Sequence, residues 1–428
     1  MPSRTDYNDV STVPEGWRAR LRHVGPGFMA AATGVGAGDL VATMVAGSRF
    51  GYVLVWAAIV GAVLKLALAE GVGRWHLTSG TTMLAGWRTL GTWVMVYFGV
   101  YAVIFGFVYG ATAMSASALP LNSLFPVLSV RYWGIVCGLV GVALVWFGRY
   151  ALIENVMKIF VGVMFLTVVG TAVLVAPNLL ELGGGFVPRL PSGSFIYVMG
   201  LIGGVGGTIS LTAYGYWVMA KGWRSSRWLP MMRLDNAVGY ITTAIFVVAM
   251  LVVGAELLLG QKILSGDRGL LTLSDTLAAD YGQWARIPFL IGFFAVSFTS
   301  VLGSWHGVSL LFADWWRTFR LPADASDYAG DYDEKAAERS PAYRGYVLWM
   351  TFPPMALLFL DQPFQVTIAY AVLGALFMPF LAGTLLVLLN SKRLAREGRS
   401  RWLSNGLLVI CLVLFAYLAV DEVMDLFG

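Results

Sequence analysis

Charge is scarce in this sequence. Asp, Glu, Lys and Arg supply 12% of its 428 residues, about half of the roughly 25% usual in a soluble domain, which excludes an ordinary water-soluble globule. Cysteine is scarcer still. Cys137 and Cys411 both lie inside apolar runs, which excludes a disulfide framework or a cysteine-based metal centre. No Gly-x4-Gly-Lys-Ser/Thr stretch is present, so an ATP-driven pump has no motif to stand on. No nucleophile, base and orienting acid occur at a catalytic spacing, so an enzyme is not expected, nor is a cofactor. The first 24 residues are polar, with Arg4, Arg18, Arg20 and Arg22, and lack the short apolar core and small-residue cleavage site of a signal peptide. The formal charge of +5 is spread over the connections between apolar runs and makes no nucleic-acid footprint.

What is abundant is apolar length. Hydrophobic residues make up 58% of the chain and its mean hydropathy is +0.73. A helix crossing the hydrocarbon needs about 20 mainly apolar residues. Runs at 26–48, 52–73, 91–119, 131–147, 156–176, 195–219, 236–259, 285–311, 345–360, 366–390 and 403–427 meet that length or approach it, the ninth being short and carrying Pro353-Pro354. They are continuous rather than alternating, which excludes β-barrel strands. About eleven transmembrane helices are therefore expected. Of the 29 Lys and Arg, 21 fall in the N-terminal arm and in every second connection after it, against six in the connections between. This bias predicts a multi-pass protein of the cell membrane with a cytoplasmic N-terminus. An odd number of spans then leaves Asp421, Glu422 and Asp425 outside.

Two of the runs are interrupted by glycine. Gly25 to Gly51 is broken at Gly34-Val35-Gly36-Ala37-Gly38-Asp39, and Phe195 to Met219 at Gly203-Gly204-Val205-Gly206-Gly207-Thr208. Unwound backbone at membrane depth is tolerated only where it lines a cavity or is buried in protein. Breaks at matching places in two halves of a chain point to the binding site of a transporter. These fall in the first and sixth spans, so eleven spans divide as five, five and one. An odd number per unit inverts the second unit, which predicts an all-α, LeuT-type 5+5 inverted repeat with an additional C-terminal helix. The expected parts are a cytoplasmic arm (1–24), a first five-helix repeat (25–176), an extracellular loop (177–194), a second repeat (195–390), and a loop with the eleventh helix (391–428).

Glycine clusters in membrane helices also serve close packing. Two features favour binding here. Asp39 puts a charge near mid-span, at a cost of about 2.5–3.5 kcal/mol unless it is paired or wetted. Thr208, Ser210, Thr212, Tyr214 and Tyr216 follow the second break, a polar run that a lipid-facing helix has no use for. Lys65 and Glu70, on the second span, read as members of a structural ion pair with each other, with Arg74 or with Asp39. His306, in Gly303-Ser304-Trp305-His306-Gly307, reads as hydrogen-bonded packing, although histidine is the side chain suited to proton coupling near neutral pH. Arg149, Glu154 and Lys158 crowd the start of the fifth span and suit a cytoplasmic gate. The stretch from Asp314 to Arg344 mixes both signs of charge and reads as a solvated loop. Most of the 16 tryptophans fall at span ends, as interfacial anchors do.

Gly25-Pro26-Gly27-Phe28, Gly36-Ala37-Gly38-Asp39 and Ala46-Gly47-Ser48-Arg49-Phe50-Gly51-Tyr52 together resemble the first helix of the Nramp metal-transporter family. That helix opens Gly-Pro-x-Phe, carries Asp-Pro-Gly-Asn where it unwinds, and continues with Ala-Gly. Thr78-Ser79-Gly80 is similar to the Thr-Gly close of the family's second-helix region. Gly148-Arg149-Tyr150 with Glu154 and Lys158 is similar to the start of its fifth helix, and Asn390-Ser391-Lys392-Arg393-Leu394 to the end of its tenth. The resemblance covers residues 21 to 395 and implies the LeuT-type fold with substrate at the breaks of helices one and six. The family's metal ligands do not carry over. Its metal-binding aspartate falls on Gly36 and its asparagine on Asp39, while Met-Pro-His of the sixth helix falls on Ser210, Leu211 and Thr212. Its third-helix acids fall near Ile104 and Phe107, which do not titrate.

Thioether and imidazole suit softer transition metals, whereas carboxylate, hydroxyl, carbonyl and water suit Mg²⁺ or Ca²⁺, and Mg²⁺ keeps several of its waters. With these replacements the resemblance implies a secondary active transporter working by alternating access. Its cargo would be a divalent metal cation, hard or hydrated (Mg²⁺ or Mn²⁺) rather than soft. Asp39 is then the charged contact and candidate metal ligand, and Gly36, Gly207, Ser210 and Thr212 are the polar lining. Lys65, Glu70, Arg149, Glu154 and His306 are candidates for coupling or gating. Small residues at Gly36, Ala37 and Gly207 leave room for a larger solute, so a small organic cation or polar metabolite is the alternative on the same fold. A membrane sensor or scaffold without transport is a third reading. The expected partners are the transported solute and the lipid bilayer.

Overall fold

The computed structural model describes residues 13–148, 150–204, 207–259, 268–321, 332–359, 363–392 and 394–427. Among them the regular structure is helical throughout. A surface helix, α1 (Trp17–His23), leads into a first broken span made of α2 (Pro26–Gly34) and α3 (Ala37–Phe50). Then come α4 (Val55–Ser79), the short α5 (Met83–Arg88), α6 (Thr92–Leu124), α7 (Val130–Phe147) and α8 (Tyr150–Leu174). The short α9 (Leu179–Gly184) precedes the second broken span, α10 (Phe195–Gly204) and α11 (Ser210–Ala220). The chain continues through α12 (Leu229–Leu258), α13 (Arg268–Tyr281), α14 (Gln283–Arg320), the short α15 (Glu334–Arg339), α16 (Pro341–Met355), α17 (Pro363–Leu389) and α18 (Trp402–Phe427). Seven helical stretches among the described residues are long and apolar enough to cross a membrane, and Leu373–Leu389 adds a shorter apolar one.

The interior is built around the broken spans. Every residue of α11 from Ser210 to Met219 is buried, and α2 and α14 are buried over most of their length. α12 packs on α2 and α3, α14 packs on α6 and α8, and α18 leans on α17 at the edge of the bundle. Glycine makes the α2–α12 and α3–α12 crossings possible. A Cβ on Gly239 would fall 2.4 Å from the Gly27 carbonyl oxygen, and one on Gly254 would fall 2.4 Å from that of Met44. Only hydrogen at these positions lets the backbones approach so closely.

Helix ends are set by local chemistry. Thr82 caps α5 by accepting from the Ala85 N–H at 3.2 Å. Ser340 caps α16 by accepting from the Tyr343 N–H at 3.2 Å, with Pro341 in the first turn, where its missing N–H costs nothing.

Glu154 and Lys158 lie within the first three turns of α8, at the start of the fifth span. Two expectations change. Of the stretch from Asp314 to Arg344, the described residues are only partly solvated: α14 runs on to Arg320, and Asp314, Tyr332 and Glu334 are buried, while Asp333, Lys335, Arg339 and Arg344 are exposed. Alternating charge reads as solvent exposure only when the partners are in water; Asp314 finds its own inside the protein, in Tyr216 and Arg317. Tryptophan also divides between two roles. Trp93, Trp284 and Trp402 are exposed near helix starts, whereas Trp87, Trp217, Trp223 and Trp305 are fully buried in the core.

Candidate binding site at the two helix breaks

The first break follows from Gly34 and Gly36. α2 ends at Gly34, and Val35 takes an extended conformation (φ −96°, ψ 97°). Past it, the Leu40 N–H reaches back to the Gly36 carbonyl at 3.2 Å and starts α3. The carbonyls left over at the end of a helix need partners when buried. The Ser300 hydroxyl of α14 supplies one, 3.1 Å from the Val35 carbonyl oxygen and closer to it than to Val296 of its own helix at 3.3 Å.

The second break turns on Gly207, whose φ of +88° lies in the left-handed region that glycine adopts without strain. A Cβ there would sit 2.6 Å from Ser210 Oγ and 2.9 Å from the Gly34 Cα. The two breaks therefore touch. The Gly207 carbonyl accepts a hydrogen bond from Lys65 Nζ of α4 at 2.5 Å. Beyond the break, Thr212 is wholly buried in α11 and its Oγ1 has no hydrogen-bond partner.

On the α6 side the surroundings are aromatic. Tyr101, Phe105 and Tyr109 stack along α6, with centroid separations of 5.9 and 4.8 Å. Phe377 and Tyr370 of α17 close on them at 4.9 and 5.1 Å. The Tyr109 hydroxyl donates to the Ser300 carbonyl at 3.3 Å. Ile104 is exposed, and Phe107 rests on Trp349.

Of the residues singled out from sequence, Gly36, Gly207 and Ser210 lie at the junction of the breaks and Thr212 half a turn further along α11. Asp39 belongs to α3, but its side chain is outside the described residues, as is Arg149 altogether. Lys65 and Glu70 go separate ways. Lys65 turns to Gly207, while Glu70 pairs with Arg74 at 3.2 Å and with Arg233 of α12 at 3.0 Å. Glu154 accepts from Lys158 and from Lys221, the residue after α11, both at 2.6 Å.

A second cluster, at the end of the bundle where the N-terminal arm enters, is largely invisible to sequence reasoning. Asp235 of α12 accepts from the backbone N–H of Gly25 at 2.8 Å and of Gly27 at 2.7 Å, and from the Tyr214 hydroxyl of α11 at 3.0 Å. The Tyr216 hydroxyl donates to Asp314 of α14 at 2.6 Å, and Asp314 also holds Arg317 at 2.9 Å. Together with Glu154, these contacts fasten α2 and α11, one half of each broken span, to α8, α12 and α14. The only sequence signal is an acid just outside the edge of an apolar run, or a tyrosine just inside one.

His306 joins the same end of the bundle. Its Nδ1 faces the Trp217 indole N–H at 3.0 Å and its Nε2 faces Glu338 at 3.1 Å. Donor atoms of His306, Glu334 and Glu338 lie within 4.8 Å of one another, a set of metal-ligating types. The tautomer argues otherwise. An indole N–H only donates, so Nδ1 is the acceptor and the neutral ring carries its proton on Nε2, pointed at Glu338. In this arrangement the cluster holds protons, not a metal. Burial raises the Glu334 carboxyl well above the usual range and Glu338 adds to the rise, with Arg224 and Lys335 pulling the other way.

A family model described as "Natural resistance-associated macrophage protein-like" matches residues 27–425. An uncharacterised protein of Pasteurella multocida is 25% identical over 293 residues, covering 63% of this chain and 65% of that relative. The "Divalent metal cation transporter MntH" of Xylella fastidiosa is 31% identical over 185 residues, covering 40% of this chain and 37% of that one. The chain thus matches less than two thirds of the length of either curated relative. Among solved structures, a manganese transporter of Eremococcus coleocola superposes with a TM-score of 0.77 at 14% identity, covering all of this chain and 92% of that one. A nucleobase-cation-symport-1 family transporter in a closed conformation superposes with a TM-score of 0.55 at 13% identity, covering 94% and 92%. At such identities the likeness is one of fold: an all-α, LeuT-type arrangement.

Proposed function

Because the chain belongs to the family of natural resistance-associated macrophage protein-like proteins, we propose that it is a secondary active transporter carrying a divalent cation across the cell membrane by alternating access. The family is one of transporters, and the chain is a multi-pass membrane protein and not an enzyme. The observation that carries the reading is the contact of the two helix breaks at Gly34 and Gly207, with Ser210 Oγ at the same point. Touching breaks at membrane depth are where broken-helix transporters hold substrate. The five-helix units at 25–176 and 195–390 each contribute one.

The cargo we propose is a hard or hydrated ion, Mg²⁺ or Mn²⁺. The donors we assign to the cargo are oxygens: the hydroxyls of Ser210 and Thr212, backbone at Gly36, and the carboxylate of Asp39, whose side chain lies outside the described residues. Such a set suits ions that keep part of their water. The Lys and Arg bias puts the N-terminal arm in the cytoplasm, so the Asp235, Glu154 and Asp314 contacts close the cytoplasmic side. Named relatives transport divalent metal or manganese, in keeping with this class of cargo.

Uptake of Mg²⁺, Mn²⁺ and Ca²⁺ into liposomes containing the purified chain, with and without a pH gradient, is the test. Saturable uptake of Mg²⁺ or Mn²⁺, reduced at least about tenfold by Asp39→Ala and by Ser210→Ala, is expected. No uptake of any of these ions removes the cargo, and uptake unchanged in both variants removes the site. A small organic cation or polar metabolite is the second reading. Its polar-metabolite form is favoured by Lys65, whose positive charge sits against the sixth-helix break and repels a second cation, and uptake of organic solutes without metal would establish the reading.

A further inference from the structure

Lys65 is wholly buried within the bundle, where a charge persists only if its surroundings answer it. Its described contacts come from three other helical segments and all are electron-rich. The Gly207 carbonyl oxygen lies 2.5 Å from Nζ, the Met378 sulfur of α17 lies 3.7 Å away, and the Phe415 ring of α18 has its centroid 5.2 Å away. A carbonyl freed by a helix break and an aromatic face both attract a monovalent cation. The Gly207 carbonyl also follows the C-terminal end of α10, where the helix dipole places partial negative charge.

We infer that the sixth-helix break contains a monovalent-cation site and that Lys65 fills it from within, as a tethered ammonium ion. In broken-helix transporters, unwound carbonyls and half-helix C-termini are the usual coordinators of a bound cation. Here the chain supplies its own, so the Gly207 carbonyl is satisfied with no ion taken from solution. The Gly207 carbonyl keeps its partner whether or not a monovalent cation is present. Lys65 is thus a positioning residue for the junction at Gly207, Ser210 and Gly34. The inference rests on these contacts alone and holds whatever the cargo is.

The test is chemical rescue of purified protein in detergent, read as melting temperature and so independent of transport. Lys65→Ala removes the ammonium and its stem, and Lys65→Met removes the charge while keeping the volume. Both are expected to melt about 2–4 °C below the parent chain, since each leaves a buried carbonyl unpaired. n-Propylammonium chloride should restore Lys65→Ala saturably, whereas tetramethylammonium chloride and choline chloride at equal ionic strength should not. Lys65→Met, with the space filled, should ignore all three. Melting of Lys65→Met within a degree or so of the parent, or equal responses of Lys65→Ala to all three salts, overturns the assignment. Should neither variant fold, the parent chain decides: replacing choline with Na⁺ or K⁺ should leave its melting unmoved, and a saturable shift overturns the proposal.

Discussion

Asp235 takes the backbone N–H of Gly27 on one carboxylate oxygen at 2.7 Å, across 208 residues of sequence. The other oxygen takes the N–H of Gly25 at 2.8 Å. A buried carboxylate thus caps the first turn of α2, where Pro26 leaves no N–H to satisfy, and also receives the Tyr214 hydroxyl from α11. One side chain therefore holds the halves of both broken spans at the end of the bundle where the N-terminal arm enters.

Asp235→Ala strands two buried N–H groups and a hydroxyl, so a loss of about 1–3 kcal/mol in stability is expected. The contact also keeps α2 seated, which a second measurement reads. A cysteine placed at Thr33, buried in α2, should react with a polar maleimide at least about tenfold faster in the Asp235→Ala background, a shift of about 1.4 kcal/mol in opening. Cys137 and Cys411 are buried and serve as internal blanks. Equal labelling rates in the two backgrounds would show that Asp235 does not hold α2 in place.

Glu334 gives the protein a pH dependence of known sign. Its folded-state carboxyl titrates well above the ordinary 4.5, mainly through burial and secondarily through Glu338. The fold therefore prefers the protonated acid. That contribution is complete below the unfolded value and is lost as pH rises through the folded one. Glu334→Gln mimics the neutral acid and lacks the effect. Relative to Glu334→Gln, the melting temperature of the parent chain should fall as pH is raised from about 5 to about 8. A constant difference across that range would mean that Glu334 does not titrate there.

Hydropathy acts over some 20 residues and glycine marks backbone that leaves the helix, so the spans and both breaks can be read from the chain alone. The partners of the polar residues cannot. Of the acids that the sequence offers Lys65, Glu70 goes elsewhere and the side chain of Asp39 lies outside the described residues; the acceptor of Lys65 at the sixth-helix break is a backbone carbonyl, which has no signature in sequence. Glu70 goes to Arg74, one of the partners that the sequence offers, and to Arg233 of α12, which it does not. Asp235 stands at the edge of an apolar run, where an acid in water and an acid capping a distant helix look alike. Asp314, at the head of the mixed-charge run to Arg344, misleads for the same reason. Charge alternation reports composition, and only packing decides which of those charges meet water.

Gly207 and Gly200 make a matched pair of substitutions. Alanine at 207 would need φ near +88° and would place its Cβ 2.6 Å from Ser210 Oγ and 2.9 Å from the Gly34 Cα. The strain alone is worth about 1–3 kcal/mol, and the collision forces the two breaks apart. Alanine at 200, on α10, meets no atom within 4 Å and gains about 0.5–1 kcal/mol of helix propensity. Gly207→Ala should therefore melt lower and lose uptake, while Gly200→Ala should melt at or above the parent temperature with uptake intact. Similar behaviour of the two would detach Gly207 from the junction.

Thr212 offers the sharpest separation of structure from function. Its Oγ1 is buried with no hydrogen-bond partner, a state that costs about 1–3 kcal/mol and that a valine of nearly the same shape would relieve. If the hydroxyl served only the fold, there would be no reason to keep it. A group held at the junction for a passing solute is expected to look like this when no solute is bound. Thr212→Val should hold or raise the melting temperature while lowering uptake at least about tenfold, equivalent to about 1.4 kcal/mol. The opposite pattern, a destabilised variant with full uptake, would assign the hydroxyl to the fold and remove Thr212 from the solute path.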